Sequence, residues 1–179
     1  MAPMENGREG SRIITETKNV PDVSAIDAEL QIFDLYAVNP EQPIRPFIHQ
    51  LNIKAKGGEI ICVKANFNDR ALANAMSTTK FNAIKHRLGH YGPSSRRLQM
   101  ADGSIVKPAA IWYGKMEIKG VQVQGSFEVF ESGGNWEFLL GKPLLAAFHA
   151  VHEYTNDNVT IENEGITTTL RNQAIMAGT

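Results

Sequence analysis

The sequence lacks the features of disulfide-bonded, membrane-spanning and secreted proteins. Of its 179 residues only Cys62 is a cysteine, so no internal disulfide can form. No apolar run approaches the ~18 residues that a membrane-spanning helix needs. The start of the chain, Met1-Ala2-Pro3-Met4, lacks the apolar core of a secretory signal. We therefore expect an intracellular, cytoplasmic protein with no membrane partner.

The sequence also lacks an excess of charge of either sign. Its 18 Lys and Arg against 19 Asp and Glu leave a formal net charge of −1, so no overall field draws it to nucleic acid. A mild basic cluster of Lys54, Lys56, Lys64 and Arg45 has no interleaved aromatic residues, which favours a solvated face. We expect no nucleic-acid partner for this domain.

Metal and phosphate motifs are absent as well. His86 and His90 stand four residues apart and His149 and His152 three apart, but Gly89 interrupts the first pair and no cysteine lies near either. The paired glycines of the chain lack the Lys-Ser/Thr that follows a phosphate loop. The sequence therefore predicts no metal site and no cofactor.

The chain has the length and composition of one globular domain, with 42% hydrophobic residues. Residues 1–42 are poor in regular apolar pattern and predict a flexible N-terminal tail or arm; within them, 23–38 has spacing that suits either a short helix or an adhesive arm. We assign 43–162 to the domain itself and 163–179 to a C-terminal extension.

Alternating apolar residues predict strands through most of the domain. Strands at 47–53 and 60–67 flank a turn at Lys56-Gly57-Gly58-Glu59. Apolar residues at 81, 84 and 88 predict a short helix with Ser77 or Thr78 as N-cap and Gly89 as C-cap. A second hairpin at 98–106 turns at Ala101-Asp102-Gly103.

The second half of the domain continues this pattern. Period-two alternation runs over 111–130, with turns expected at Lys119-Gly120 and Gln124-Gly125. A core strand over 136–140, a helical turn or two over 143–148 and a strand over 158–161 follow. An extra hairpin is expected about Glu164-Gly165. The fold class predicted is all-β with one or two short helices.

Two motifs carry the functional signal. An apolar strand delivers the polar triplet Asn68-Asp69-Arg70, and roughly seventy residues later comes Leu139-Leu140-Gly141. With Ala101-Asp102-Gly103-Ser104 between them, they resemble the retropepsin-like aspartic protease family, most closely the protease domains of retrotransposon polyproteins. The resemblance covers about residues 45–161. It implies a retropepsin-like closed barrel, with the 98–106 hairpin in the place of the family's flap.

The catalytic triplet departs from the family pattern of Asp-Thr/Ser-Gly followed by Ala. With Ala65 and Phe67 on the strand and Ala71 as the following Ala, Asn68 takes the place of the catalytic aspartate. A frame shifted by one residue would put Asp69 there, but the shift would turn the strand's side chains to opposite faces. We favour the unshifted frame, in which the catalytic place holds no carboxylate. Asp69 is the only candidate carboxylate of the triplet, and it could act only in the shifted frame.

The resemblance implies an aspartic endopeptidase that acts on an extended polypeptide. Each chain holds one triplet, so an active form would be a homodimer. The family chemistry needs two carboxylates that share a proton, and asparagine cannot act as a general base. The resemblance further implies substrate contacts from Ala71 and from the hairpin residues Met100, Ala101, Asp102, Gly103 and Ser104. Two hypotheses remain: an endopeptidase with impaired or lost hydrolysis, and a non-catalytic peptide-binding or scaffold module.

Overall fold

Strands dominate the computed structural model, which describes residues 32–33, 45–100 and 102–174. The strands are β1 (Ile32–Phe33), β2 (Phe47–Lys54), β3 (Ile60–Phe67), β4 (Ala75–Ser77), β5 (Tyr91–Gly92), β6 (Leu98–Met100), β7 (Ile105–Val106), β8 (Ala110–Ile118), β9 (Val121–Phe130), β10 (Phe138–Leu140), β11 (Val151–Glu153), β12 (Asn158–Asn163) and β13 (Ile166–Arg171). The helices are α1 (Thr78–Ile84), which a 3-10 turn at Lys85–Arg87 extends, and α2 (Lys142–Ala147).

Six strands close into a barrel in the order β2-β3-β10-β4-β9-β8, and β8 pairs back to β2. The closing contact is short, with Asn52 opposite Glu117 and Ile53 opposite Met116. β5 pairs with the beginning of β8, where Tyr91 lies opposite Trp112 and Gly92 opposite Ile111. The all-β closed barrel with one or two short helices, expected from the sequence, is confirmed.

The alternation of each long strand explains how the barrel fills its interior. In β2, Leu51 and Ile53 are fully buried while their neighbours are half-buried or exposed, and β3 buries Ile61, Val63 and Ala65 in the same way. Aromatic rings from other strands complete the core, where the rings of Trp112, Phe127 and Phe138 lie in successive contact.

The two helices begin where the sequence places them. Ser77 is the N-cap of α1, since its Oγ accepts a hydrogen bond from the Lys80 N–H at 3.1 Å. The expected C-cap at Gly89 is wrong, because the helix tightens into the 3-10 turn and Leu88 ends it in an extended conformation. α2 follows Gly141 directly, with Pro143 in its first turn.

One expected turn is wrong and one is confirmed. Lys119 and Gly120 both have positive φ and join β8 to β9 in a tight hairpin. Gln124 and Gly125 instead lie within β9, paired across the ladder with β8. A Cβ on Gly125 would lie 2.6 Å from Leu144 Cδ2, so this glycine makes room for α2 and does not turn the chain.

Two smaller sheets accompany the barrel. The first has the order β1-β6-β7, and the second is a β11-β12-β13 meander that buries Val159, Ile161 and Leu170 against the barrel. The expected hairpin about Glu164-Gly165 is confirmed as the β12-β13 connection. Within the segment 23–38, residues 32–33 form a strand and not a helix; its other residues lie outside the described part of the chain.

Among the residues that the structure describes, no helix is long and apolar enough to cross a bilayer.

Candidate functional site

The two sequence motifs meet at one place in the barrel. β10 lies between β3, to which it is parallel, and β4, to which it is antiparallel, with Leu140 opposite Phe67 and Leu139 opposite Ala75. The chain leaves β3, passes the carboxyl end of β10 and returns as β4. We call this passage, residues 68–74, the triplet loop, because it begins with Asn68-Asp69-Arg70.

Gly141, the last residue of the Leu-Leu-Gly motif, allows the triplet loop to pass close to β10. A Cβ at Gly141 would lie 2.2 Å from the Ala73 carbonyl oxygen and 2.8 Å from that of Ala71. The next amide, of Lys142, donates to the Ala71 carbonyl at 2.8 Å. The glycine is therefore required by a close approach of two backbones.

Asn68 holds the start of the triplet loop with its side chain. Its Oδ1 accepts hydrogen bonds from the Arg70 N–H at 2.9 Å and the Ala71 N–H at 3.2 Å. Its own amide donates to the Leu140 carbonyl at 2.9 Å. Because two backbone N–H donors face this atom, it must be the oxygen of the side-chain amide and not the nitrogen. A carboxylate oxygen at position 68 could accept the same two bonds.

The other two triplet residues differ from Asn68 in exposure. Asn68 is half-buried, whereas Asp69 and Arg70 are exposed. Ala71, a residue expected to contact substrate, is fully buried. Its N–H donates to Asn68 Oδ1 and its carbonyl accepts the Lys142 amide, so both of its backbone groups are engaged within the chain.

Asn74 closes the triplet loop and was not identified from the sequence. Its Oδ1 accepts from the Gly141 amide at 3.0 Å and the Leu144 amide at 3.2 Å, and its Nδ2 donates to the Ser126 carbonyl at 3.0 Å. It is buried among apolar residues, where such bonds are needed to offset desolvation. The signal for it was a single polar residue within the small apolar run 71–76.

The 98–106 hairpin, which we call the flap hairpin, forms as expected. Leu98 lies opposite Val106 and Gln99 opposite Ile105, and Gly103 at the turn has φ +87°. Asp102 is a turn former: its Oδ1 accepts from the Ser104 N–H at 2.9 Å and from the Ser104 hydroxyl at 2.6 Å. Both bonds lower the pKa of the Asp102 carboxyl, and the bond from the Ser104 hydroxyl has the larger effect. Ala101 lies outside the described residues.

A second apolar cluster joins the flap hairpin to the triplet loop. Its buried members come from the triplet loop, β4, β6, β9, the connection between β9 and β10, and β10 itself, and are Ala71, Ala73, Ala75, Leu98, Phe130, Trp136 and Leu139. Met100 and Val106 pack against it half-buried. The flap hairpin and the second half of the triplet loop therefore belong to one packed unit.

A buried carboxylate at the base of the flap hairpin was missed by the sequence reasoning. Glu128 on β9 is 3% exposed; its Oε1 accepts from the Ser94 hydroxyl at 2.6 Å and its Oε2 lies 3.4 Å from Arg96 Nε. Desolvation raises the pKa of this carboxyl, against the effects of Ser94 and Arg96. A charged residue between Phe127 and Val129 was the signal available.

An extended segment is already paired with the flap hairpin. β1 lies parallel to β6, with Ile32 opposite Gln99 and Phe33 opposite Met100. β6 is thus the central strand of a three-stranded sheet, with β7 on its other side. The edge of the flap hairpin accepts a strand through main-chain pairing.

The histidine pairs make other contacts. His149 Nδ1 is 2.8 Å from the Glu162 carbonyl oxygen, and His152 Nε2 is 2.7 Å from Asp157 Oδ1. Within the described ranges, no group of three or more His, Cys, Asp or Glu side chains is arranged to hold a metal ion.

Comparison with known proteins adds a structural similarity. No protein-family model and no curated protein matches the chain. The chain is similar to the solved structure of the retroviral protease-like domain of Ddi1 from Leishmania major, with 11% sequence identity and a TM-score of 0.49. The match covers 74% of this chain and 100% of that one.

Proposed function

We propose that this chain is a retropepsin-like domain of retrotransposon-polyprotein descent that binds extended polypeptides and has lost most or all hydrolysis. The observation that carries the proposal is the pairing of Ile32–Phe33 with β6, an extended segment held at the flap hairpin by its main chain. Such pairing reads backbone more than side chain, so it accepts many sequences.

The loss of hydrolysis follows from the chemistry at position 68. A shared-proton pair of carboxylates activates water in the family, whereas an amide cannot accept a proton near neutral pH. Asn68 Oδ1 already accepts two backbone N–H groups, so it acts as a loop former. Asn68 therefore retains the structural part of the family's catalytic position and lacks the chemical part.

The unshifted frame is supported by the burial pattern. Burial alternates along β3 through Ala65, and Phe67 continues it by packing on Phe47 at 5.0 Å between ring centroids. Asn68, the first residue after β3, is half-buried, while Asp69 is exposed. A catalytic Asp69 would require the shift that this alternation opposes.

The number of triplets in the chain bears on its oligomeric state. Because the chain has one triplet and one Leu-Leu-Gly strand, any catalytically competent form needs two chains, and we propose a homodimer for that case. In the chain as written, two Asp69 carboxylates would approach across the dimer axis, where like charges repel. We propose a monomer or weak dimer that serves as a peptide-binding or scaffold module.

Peptide binding can be tested by freeing the flap edge. Ile32→Pro with Phe33→Pro removes both amide N–H groups and should release β1 from β6. A synthetic peptide of residues 28–37 added to this variant should then shift the Gln99 and Met100 amide resonances in a saturable manner. It should bind the wild type at least roughly tenfold more weakly, because the chain's own segment competes at high effective concentration.

The matched control is Ile32→Ala with Phe33→Ala, which keeps both amides and should retain the competing strand. Unrelated extended peptides should also bind the proline variant, although with different affinities. If no peptide shifts the Gln99 and Met100 amides of the proline variant, the peptide-binding proposal is wrong.

A further inference from the structure

A cavity of about 390 Å³ lies away from the triplet loop, on the wall where β2 and β8 close the barrel. Its lining includes Lys54, Lys56, His90, Tyr113 and Lys115. The volume is within the ~300–1,000 Å³ that is usual for small-molecule sites. Neither the flap hairpin nor the triplet contributes to it, so it is separate from the site described above.

The charge around this cavity is of one sign. Lys54, Lys56 and Lys115 are exposed, and none of them forms an ion pair with another residue of the described ranges. No carboxylate is among the lining residues. The two nearest acids in sequence are engaged elsewhere: Glu59 pairs with Arg87 at 3.7 Å, and Glu117 Oε2 accepts the Gly120 amide at 2.8 Å.

Aromatic and backbone groups give the cavity a fixed shape. The Trp112 ring lies over Gly114, where a Cβ would be 2.1 Å from Trp112 Cζ2, so the glycine lets the indole lie flat. Tyr113 is 56% exposed beside it. His90 has a left-handed φ of 62°, and its carbonyl accepts the Tyr113 N–H at 3.0 Å. An unusual backbone conformation is thus held at the mouth of the cavity.

The basic cluster seen in the sequence is divided by the fold. Arg45 pairs with Asp157 and Lys64 lies on the outer face of β3, whereas Lys54 and Lys56 remain together at the end of β2. The pairing of β2 with β8 then brings Lys115 and Tyr113 to them. The aromatic residue that the linear sequence lacks beside its lysines is supplied from another strand.

We infer that this cavity binds a phosphate-bearing small molecule of mononucleotide size. The three lysine ammonium groups are suited to a phosphate, and a planar base can lie against the exposed Tyr113 ring. Because the chain has a net charge of −1, no general positive field attracts an anionic ligand, and binding depends on these side chains. This inference is independent of the proposed peptide binding.

The test is a titration of the full chain followed by amide resonances, with adenosine monophosphate as the probe and pyrophosphate and adenosine as comparison ligands. Saturable shifts are expected at Gly89, His90, Gly114 and Lys115. Adenosine should bind at least roughly tenfold more weakly than the monophosphate, because it lacks the charge. Pyrophosphate should shift the same amides. The Tyr113→Ala substitution should weaken binding of the monophosphate and leave binding of pyrophosphate unchanged.

Charge variants make the test specific. Lys54→Gln, Lys56→Gln and Lys115→Gln should each weaken monophosphate binding by roughly three- to tenfold, and Lys64→Gln, an exposed lysine on β3, should leave it unchanged. Equal losses from Lys64→Gln, equal binding of adenosine, or no saturable shift at the four amides would each overturn the inference. The substituted side chains are exposed, so the variants should keep the wild-type spectrum elsewhere.

Discussion

At the scale of single residues, Gly141 shows how the site depends on the absence of a side chain. Two carbonyl oxygens of the triplet loop, those of Ala73 and Ala71, lie only 2.2 and 2.8 Å from the position that a Cβ of Gly141 would take. These atoms are backbone and cannot rotate away as the end of a flexible side chain could. Any substitution must therefore move either β10 or the triplet loop.

We predict that Gly141→Ala lowers the free energy of unfolding by about 1–3 kcal/mol, the typical cost of overpacking. Urea denaturation followed by tryptophan fluorescence would measure it. Gly92→Ala is the matched control, because a Cβ there has no neighbour within 4 Å and its φ is not positive. Equal stability of the Gly141→Ala and Gly92→Ala proteins would contradict the close approach.

His49 gives a prediction about pH. It is buried on β2, and desolvation lowers its pKa, against the hydrogen bond to the Gln50 carbonyl and with help from the charge of Lys119. Since the folded pKa lies below the unfolded value of 6.5, the unfolded state binds the proton first. The stabilising contribution is complete above pH 6.5 and decreases as the pH falls toward the lowered folded pKa.

The measurement is the free energy of unfolding between pH 7.5 and 5 for the wild type and for His49→Gln. The wild type should lose stability on acidification relative to the variant, whose side chain does not titrate. A constant difference between the two proteins over this range would show that the pKa of His49 is the same in the folded and the unfolded state.

The sequence indicated the place of a residue within a motif that has neighbours, but it did not indicate residues that act alone. Asn68 was identified because an apolar strand and a following Ala fixed its position. Asn74 and Glu128 were missed because their roles depend on partners far away in sequence: Gly141 and Leu144 for the first, Ser94 for the second. A single polar residue in an apolar run does not indicate its partner.

At the scale of elements, the strands were predictable because burial on one face imposes a period of two. β2 and β3 lie within one or two residues of the expected bounds. The error at Gln124-Gly125 came from treating a glycine as a turn signal. Gly125 and Gly114 face each other across β8 and β9, and each makes room for a large side chain, Leu144 or Trp112. Such packing glycines cannot be told from turns without the tertiary contact.

Two residues, Asn172 and Gln173, connect the C-terminal segment to the first barrel strand, and the side chain of Asn172 makes three of the bonds. Its Oδ1 accepts from the Ile48 amide at 2.9 Å, and its Nδ2 donates to the Pro46 carbonyl and to Asp157 Oδ2, both at 2.8 Å. Desolvation opposes ionisation of Asp157, but hydrogen bonds from Asn172, Arg45 and His152 together lower the pKa of that carboxyl. The segment beyond β13 therefore covers the outer edge of β2.

We predict that Asn172→Ala lowers the free energy of unfolding by about 1–3 kcal/mol, because the half-buried Ile48 amide and Asp157 carboxylate lose a hydrogen-bond partner. The Ile48 amide should also exchange with solvent faster. Thr167→Ala, an exposed change on β13, is the control and should alter neither quantity. Unchanged exchange at Ile48 in the Asn172→Ala protein would show that the segment does not depend on this side chain.

At the scale of the whole molecule, one chain forms a complete barrel but carries one triplet. The resemblance of the motifs predicted the barrel, and the closing pairs of β2 with β8 bear it out. The sequence could not predict that the edge of β2 is covered by residues 172–173, whose bonds to Ile48 and Gln50 occupy main-chain groups of that strand. A partner chain would have to use other surfaces or displace this segment.

The chain forms the closed barrel that its motifs predict, and we propose that it lacks the general base of an endopeptidase. Asn68→Asp preserves an acceptor for the Arg70 and Ala71 amides, Asp69→Thr removes the repelling carboxylate, and Arg70→Gly removes bulk from the loop. The triple variant should therefore dimerise and cleave peptides in the acid range, where one carboxyl of the pair is protonated.

The most direct measurement is a pH-scanned peptide digest of the wild type, the triple variant and Asp69→Asn, with ultracentrifugation of each. We predict no cleavage by a monomeric or weakly dimeric wild type at any pH, and acid-range cleavage by a dimeric triple variant. A tight wild-type dimer that cleaves peptide, with cleavage abolished by Asp69→Asn alone, would contradict the account and show that Asp69 is the catalytic carboxylate.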